Sequence, residues 1–177
     1  MSWKLSGIVK SNDDLEILTQ KLLEQSVARH DISVQGSHRD IYKFFGQENI
    51  PPERLQEMKT KPVKEPFLSD DYGWILSLIF VVTVFLSSIF FVFYMGDIMS
   101  THDNIFYSFL GVGIGSLIGL ALIFFVHKIH QSHIQKQEKE GGFLIEVNSQ
   151  DDENKSNCFN LMKNFGVQRL RVFNYPY

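Results

Sequence analysis

The chain has a single cysteine, Cys158, so no disulfide can close within it, and a reducing compartment suits it. It has no excess of basic charge: 17 Lys and Arg stand against 20 Asp and Glu in 177 residues, a net charge of −3. A nucleic-acid partner needs a basic footprint, so none is expected. It has no Ser-His-Asp set, no nucleophile elbow and no HExxH motif. Enzyme activity and a cofactor are therefore not expected. No apolar run follows a basic start between Met1 and Val34. The first apolar segment, at Trp74, is expected to act as an internal membrane-targeting element. Charge is also missing from two long stretches, and that absence organises the rest.

Trp74 to Met95 and Ile105 to Val126 contain no ionisable side chain. Each is about 22 residues long, enough for roughly 30 Å of hydrocarbon at helical rise. Only helices satisfy their own backbone in lipid when two segments are available. Tyr72 and Trp74 stand at one end of this hairpin; Tyr94, Phe106 and Tyr107 stand at the other, as an aromatic belt would. The link from Gly96 to Asn104 holds Asp97 and Asp103 but no Lys or Arg. Lys59, Lys61, Lys64, Lys128, Lys136 and Lys139 flank the outer ends. The positive-inside rule then predicts a multi-pass protein with both termini cytoplasmic.

The second span carries Gly111, Gly115 and Gly119 at spacing four, with Gly113 and Ser116 between. Such a seam admits another helix backbone closely. Its partner is either the first span of the same chain or a second copy. Ser77, Thr83, Ser87, Ser88, Ser108 and Ser116 are the polar residues of the spans, and each can bond its own helix. A pore usually needs charged or polar groups at depth, so transport is a minor reading.

The soluble ends repeat. Val9-Lys10-Ser11-Asn12-Asp13-Asp14 reappears as Val147-Asn148-Ser149-Gln150-Asp151-Asp152. The same spacing pairs Leu23 with Leu161, Val27 with Phe165, Ala28 with Gly166, Ile32 with Leu170 and Val34 with Val172. Each copy reads as strand, capped helix, strand. Leu5, Gly7 and Val9 alternate; Ser11 or Asn12 caps; Leu15, Leu18 and Leu22 form a helical stripe; Ile32 and Val34 return as a strand. In the second copy Phe143 to Val147 is a strand, and Ser149 caps a helix striped by Cys158, Leu161, Met162 and Phe165. Gly166 stops that helix, and Val167 to Phe173 is the last strand. Two such units predict a ferredoxin-like α+β domain, a four-stranded antiparallel sheet split by the hairpin. Whether the halves pair within one chain or between chains stays open.

The expected organisation is a first half at 1–37, a juxtamembrane linker at 38–72, the hairpin at 73–126, a helical extension at 127–141 and a second half at 142–177. Within the linker, Ile41 to Phe45 suits a short helix and Glu53 to Met58 one helical turn. Pro51, Pro52, Pro62 and Pro66 bar longer structure.

Gly7-Ile8-Val9 before a capped helix, the His30-Asp31-Ile32-Ser33-Val34 strand, the glycine-rich span and Glu140-Gly141-Gly142-Phe143-Leu144-Ile145-Glu146-Val147 together resemble a group of small bacterial membrane proteins. These are labelled general-stress or low-temperature-induced and have no established activity. The resemblance implies a bacterial inner membrane and cytosolic half-domains. It implies no catalytic residues.

Other candidates have plain readings. Asp13-Asp14 and Asp151-Asp152 suit the first turns of helices better than a cation site, because neighbours on a helix diverge by about 100°. His127, His130 and His133 have a spacing that can ligate zinc, with Glu138 or Glu140 nearby, or form a pH-sensitive patch. They step around the helix by about 60° each, so at most two share a face. Gly111 to Ser116 superficially matches a phosphate loop but lacks its lysine. Cys158 falls on an apolar stripe and reads as buried and inert. Arg169 and Arg171 alternate on the last strand, toward solvent, a partner or anionic headgroups. The function expected is protein–protein interaction: self-assembly, or service as an accessory or regulatory subunit of a larger membrane complex. The alternative is a membrane-anchored sensor of a small ligand or metal.

Overall fold

The computed structural model describes residues 2–95, 101–149 and 152–175. The chain forms two compact units. Met1–Phe67 joins Ser132–Tyr177 in one, and Leu68–Gln131 is the other.

The first unit is mixed α and β. In chain order it holds β1 (Ser2–Val9), α1 (Asn12–Glu24), a 3-10 turn (Arg29–Asp31), β2 (Ile32–Gln35), α2 (His38–Phe45), α3 (Pro52–Glu57) and β3 (Val63–Lys64). The second unit is built on α4 (Ser69–Met95) and α5 (Thr101–Lys139), whose last turns lie in the first unit. β4 (Phe143–Ser149), α6 (Asp152–Asn164) and β5 (Gln168–Tyr175) complete the chain. The five strands make one antiparallel sheet in the order β3-β2-β4-β1-β5.

The period-2 alternation of β1 divides its side chains between two faces. Trp3, Leu5 and Val9 meet Leu18, Leu22, Ile32, Val34, Ile145, Val147, Cys158 and Met162 in the main core. α1 and α6 touch each other on this face and supply its helical half. Ser11 starts α1 because its side chain accepts from the Asp13 N–H at 3.2 Å, satisfying a donor the helix cannot. The opposite sheet face presents Lys4, Ser6, Leu144 and Glu146.

That second face corrects the linker expectation. Residues 38–64 are part of the domain, not a tether. Ile41, Ile50 and Leu55 pack on Leu144 in a separate buried cluster, and β3 pairs with β2 through Val34↔Lys64 and Gln35↔Val63. The sheet thus has five strands where the repeat alone predicted four. The prolines permit this because they bound short elements: Pro52 sits in the first turn of α3, where a missing N–H costs nothing, and Pro62 precedes β3.

The internal pairing also shifts by two residues. α1 begins at Asn12 and α6 at Asp152, and they end at Glu24 and Asn164, 140 residues apart throughout. Their closing turns agree: the Val27 N–H donates to the Leu22 carbonyl and the Val167 N–H to that of Met162. Ser26, at φ 65°, therefore corresponds to Gly166, at φ 70°; the sequence pairing put Ala28 there. Ser149 ends β4, and α6 begins three residues later at Asp152. Asp151 lies outside the described residues.

The two halves pair within one chain. β1 lies between β4 and β5, with Leu5 opposite Val147 on one side and Val172 on the other. Gly142, at φ 105°, makes the approach to β4 possible: a Cβ there would strike the Val9 carbonyl oxygen.

Candidate functional site

In the second unit, α4 and α5 each contain a stretch long and apolar enough to cross a membrane, Ser69–Tyr94 and Asn104–Lys139. Large side chains cover their outer surfaces, and Trp74, Phe93 and Phe109 are 79%, 85% and 73% exposed. The seam faces α4. A Cβ on Gly111 would lie 2.6 Å from Ser88 Cα, and one on Gly115 2.9 Å from Val84 Cα. Gly119 faces the Phe80 ring. The helix that fills this groove thus belongs to the same chain. The Ser116 hydroxyl donates to the Val112 carbonyl of its own helix at 2.7 Å. Thr83 does the same to Ile79, whereas Ser88 and Ser108 bond each other at 2.9 Å across the pair. Asp97 of the link lies outside the described residues.

The structure does not bring His127, His130 and His133 together. Within the second unit, the Tyr72 ring stacks on His130 at 4.6 Å and leans toward His127 at 6.2 Å. Within the first unit, His133 lies flat against His38, the first residue of α2, with centroids 3.7 Å apart and planes 3° from parallel. Sequence reasoning missed His38, because 95 residues separate the two rings. His38 stays open to solvent on its other side. Burial of the stacked face holds its pKa below the ordinary value; His133 reinforces this, Glu48 and Asp40 oppose it, and Lys64 adds to it. Asp40 is tied to the Ser37 hydroxyl at 2.6 Å, which keeps its carboxyl below the usual range. Glu48 lies 3.9 Å from Lys136. Glu138 accepts from the Asn12 N–H at 3.0 Å, closing the start of α1. Among the described residues, no three His, Cys, Asp or Glu side chains form a set able to hold a metal ion.

Asp13 and Asp14 occupy the first turn of α1, both exposed. Cys158 is buried in the main core, and burial pushes its thiol pKa up, away from thiolate chemistry.

The most desolvated charges lie on the second sheet face. Glu146, 1% exposed, receives Lys4 at 2.7 Å and Lys61 at 2.6 Å. Beside it the buried Gln56 amide donates to the carbonyls of Ser6 and Arg169 at 3.2 and 2.8 Å. Arg169 sits at φ 49°, where the β1–β5 register shifts. Gln56 therefore holds a bulge on the edge strand from the covering segment. Arg171 lies 3.8 Å from Glu57. Buried charge of this kind marks either a site or a lock; Lys4 ties Glu146 within the sheet, and the contacts of Lys61, Gln56 and Glu57 join residues 38–64 to it, which is a lock.

No protein-family model matches the chain, and no curated protein or solved structure is detectably similar to it.

Proposed function

We propose that the chain is a non-enzymatic membrane protein: a ferredoxin-like domain anchored by a two-helix hairpin, with both termini on the cytoplasmic face of a bacterial inner membrane. It works by assembling with itself or with a larger membrane complex. One observation carries this reading. β1 hydrogen-bonds to β4 and β5, although two helices able to span a bilayer separate them in sequence. Strands on both sides of the helices share one sheet, so both ends lie on one side, as two crossings require. The order of the four long strands, with α1 and α6 on one face, supports the ferredoxin-like assignment. The lysines at the outer ends support the orientation. Resemblance to small stress-induced bacterial membrane proteins agrees with it and adds no reaction.

Because α4 fills the glycine seam, assembly has to use other surfaces. Native mass spectrometry of the complex, extracted gently from its own membrane, tests the reading. A mass at a multiple of 20.5 kDa supports self-assembly; a mass containing other polypeptides supports an accessory subunit. A bare monomer from a membrane still competent for the complex refutes both.

A further inference from the structure

α2 is a helix with three kinds of surface. Ile41 is buried, with Phe45 packed against the same cluster, so these two point inward. At about 100° per residue, Arg39 and Lys43 then point outward, and Tyr42 and Phe44 take one shoulder each. Tyr42 and Phe44 are each 56% exposed, and Arg39 and Lys43 are open to solvent. Of the acids nearby, Asp40 is occupied by Ser37 and Glu48 lies beside Lys136. Lys64, also exposed, faces the start of this helix. The position matters as much as the composition. The chain leaves this unit after Phe67, three residues past Lys64, and returns at Ser132, next to the His133 that stacks on α2. Both covalent connections to the apolar helices therefore flank this surface.

We infer that α2 is an interfacial helix that seats on anionic phospholipid headgroups. Arg39, Lys43 and Lys64 meet the phosphates, while Tyr42 and Phe44 sink beside them into the polar–apolar boundary. Aromatic rings prefer that depth, and each basic side chain close to an anionic surface adds attraction that salt screens. The inference rests on the membrane reading above. It adds that the soluble unit is held down on the bilayer and does not merely hang from it.

The test places a nitroxide at Gln47→Cys, exposed just past α2, in the full chain reconstituted in phosphatidylcholine discs with or without phosphatidylglycerol. Cys158 is buried, and the unsubstituted chain serves as the labelling control. Collision with a water-soluble nickel chelate reports aqueous access. A second label, at Phe85→Cys in α4, reports insertion, and a third, at Ile17→Cys in α1, reports a solvent-facing site. The expected result is nickel access at 47 well below that at 17 in anionic discs. Lys43→Glu with Arg39→Glu should restore it, and so should high salt. Nickel access at 47 equal to that at 17, with 85 shielded, overturns the inference and leaves the membrane reading intact. Access at 85 overturns both. Protection at 47 produced by soluble inorganic phosphate without anionic lipid overturns the lipid assignment. If the double reversal unfolds α2, Lys64→Glu gives the same discrimination from outside the helix.

Discussion

The two faces of the sheet are built on different principles. One is apolar except for Thr19, whose hydroxyl bonds its own helix, and is closed by α1 and α6 around Trp3, Leu22, Ile145 and Met162. The other mixes a small apolar cluster around Leu144 with a buried carboxylate, two ammonium groups and a glutamine. The first tolerates any well-shaped hydrocarbon, since burial is non-directional. The second works only if every partner is present, because a charge left alone in that place has no water to return to. An apolar face supplies stability; a charged one also fixes which segment covers it and in what register.

The difference can be broken experimentally. Glu146→Ala should have the largest effect, about 3–5 kcal/mol, because it strands two lysines beneath the cover. Denaturant unfolding followed through Trp3 fluorescence, in a Trp74→Phe background, measures it. Lys4→Met with Lys61→Met and Glu146→Leu should recover much of that loss, which a generic packing defect would not allow. Leu22→Ala on the apolar face should cost about 2–5 kcal/mol, and no second substitution of opposite charge should rescue it. Gln56→Ala frees the carbonyls of Ser6 and Arg169 and should cost about 1–3 kcal/mol. Its specific sign is faster hydrogen exchange around the β5 bulge while α1 keeps its protection. The smallest effect concerns pH. The folded pKa of His38 lies below the ordinary value of about 6.5. The detached state therefore binds the proton more readily, so the stack contributes above that ordinary value and fades as pH falls below it. Exchange of α2 amides between pH 7.5 and 5, corrected for intrinsic rates, should accelerate modestly in the native chain and stay level in His38→Gln. An equal change in both would remove His38 from the account.

The same contrast explains what could be read from the sequence. Leu15, Leu18 and Leu22 announce their helix because burial of one stripe imposes a period, and Leu5 with Val9 announces a strand in the same way. Gly111, Gly115 and Gly119 mark a close helix contact by spacing alone. The second face has no such signal. Lys61 and Glu146 look like solvated charges until the fold brings them together from 85 positions apart, and the prolines of the covering segment suggest a tether. The shift in the repeat has a related cause. Matching letters at Ser11 and Ser149 favoured one spacing, whereas the closing turns, set by backbone hydrogen bonds at Leu22 and Met162, define another. Tyr72 with His130 and His38 with His133 lay beyond reach because no local rule pairs aromatic rings across separate helices.

The position of β1 sets an order of events at the ribosome. Its two neighbours, β4 and β5, are both made after the two long apolar helices, and β2 meets β1 only through β4. Until the second apolar helix has emerged, the amino-terminal half has half a core and only the short β2–β3 pair of the sheet. If the two helices span a bilayer as proposed, a single crossing would deliver β4 and β5 to the opposite compartment and leave β1 unpaired. On the membrane reading proposed above, the split domain would thus proofread its own anchor: only a chain threaded twice through the bilayer could close it, and an open one would leave β1 bare.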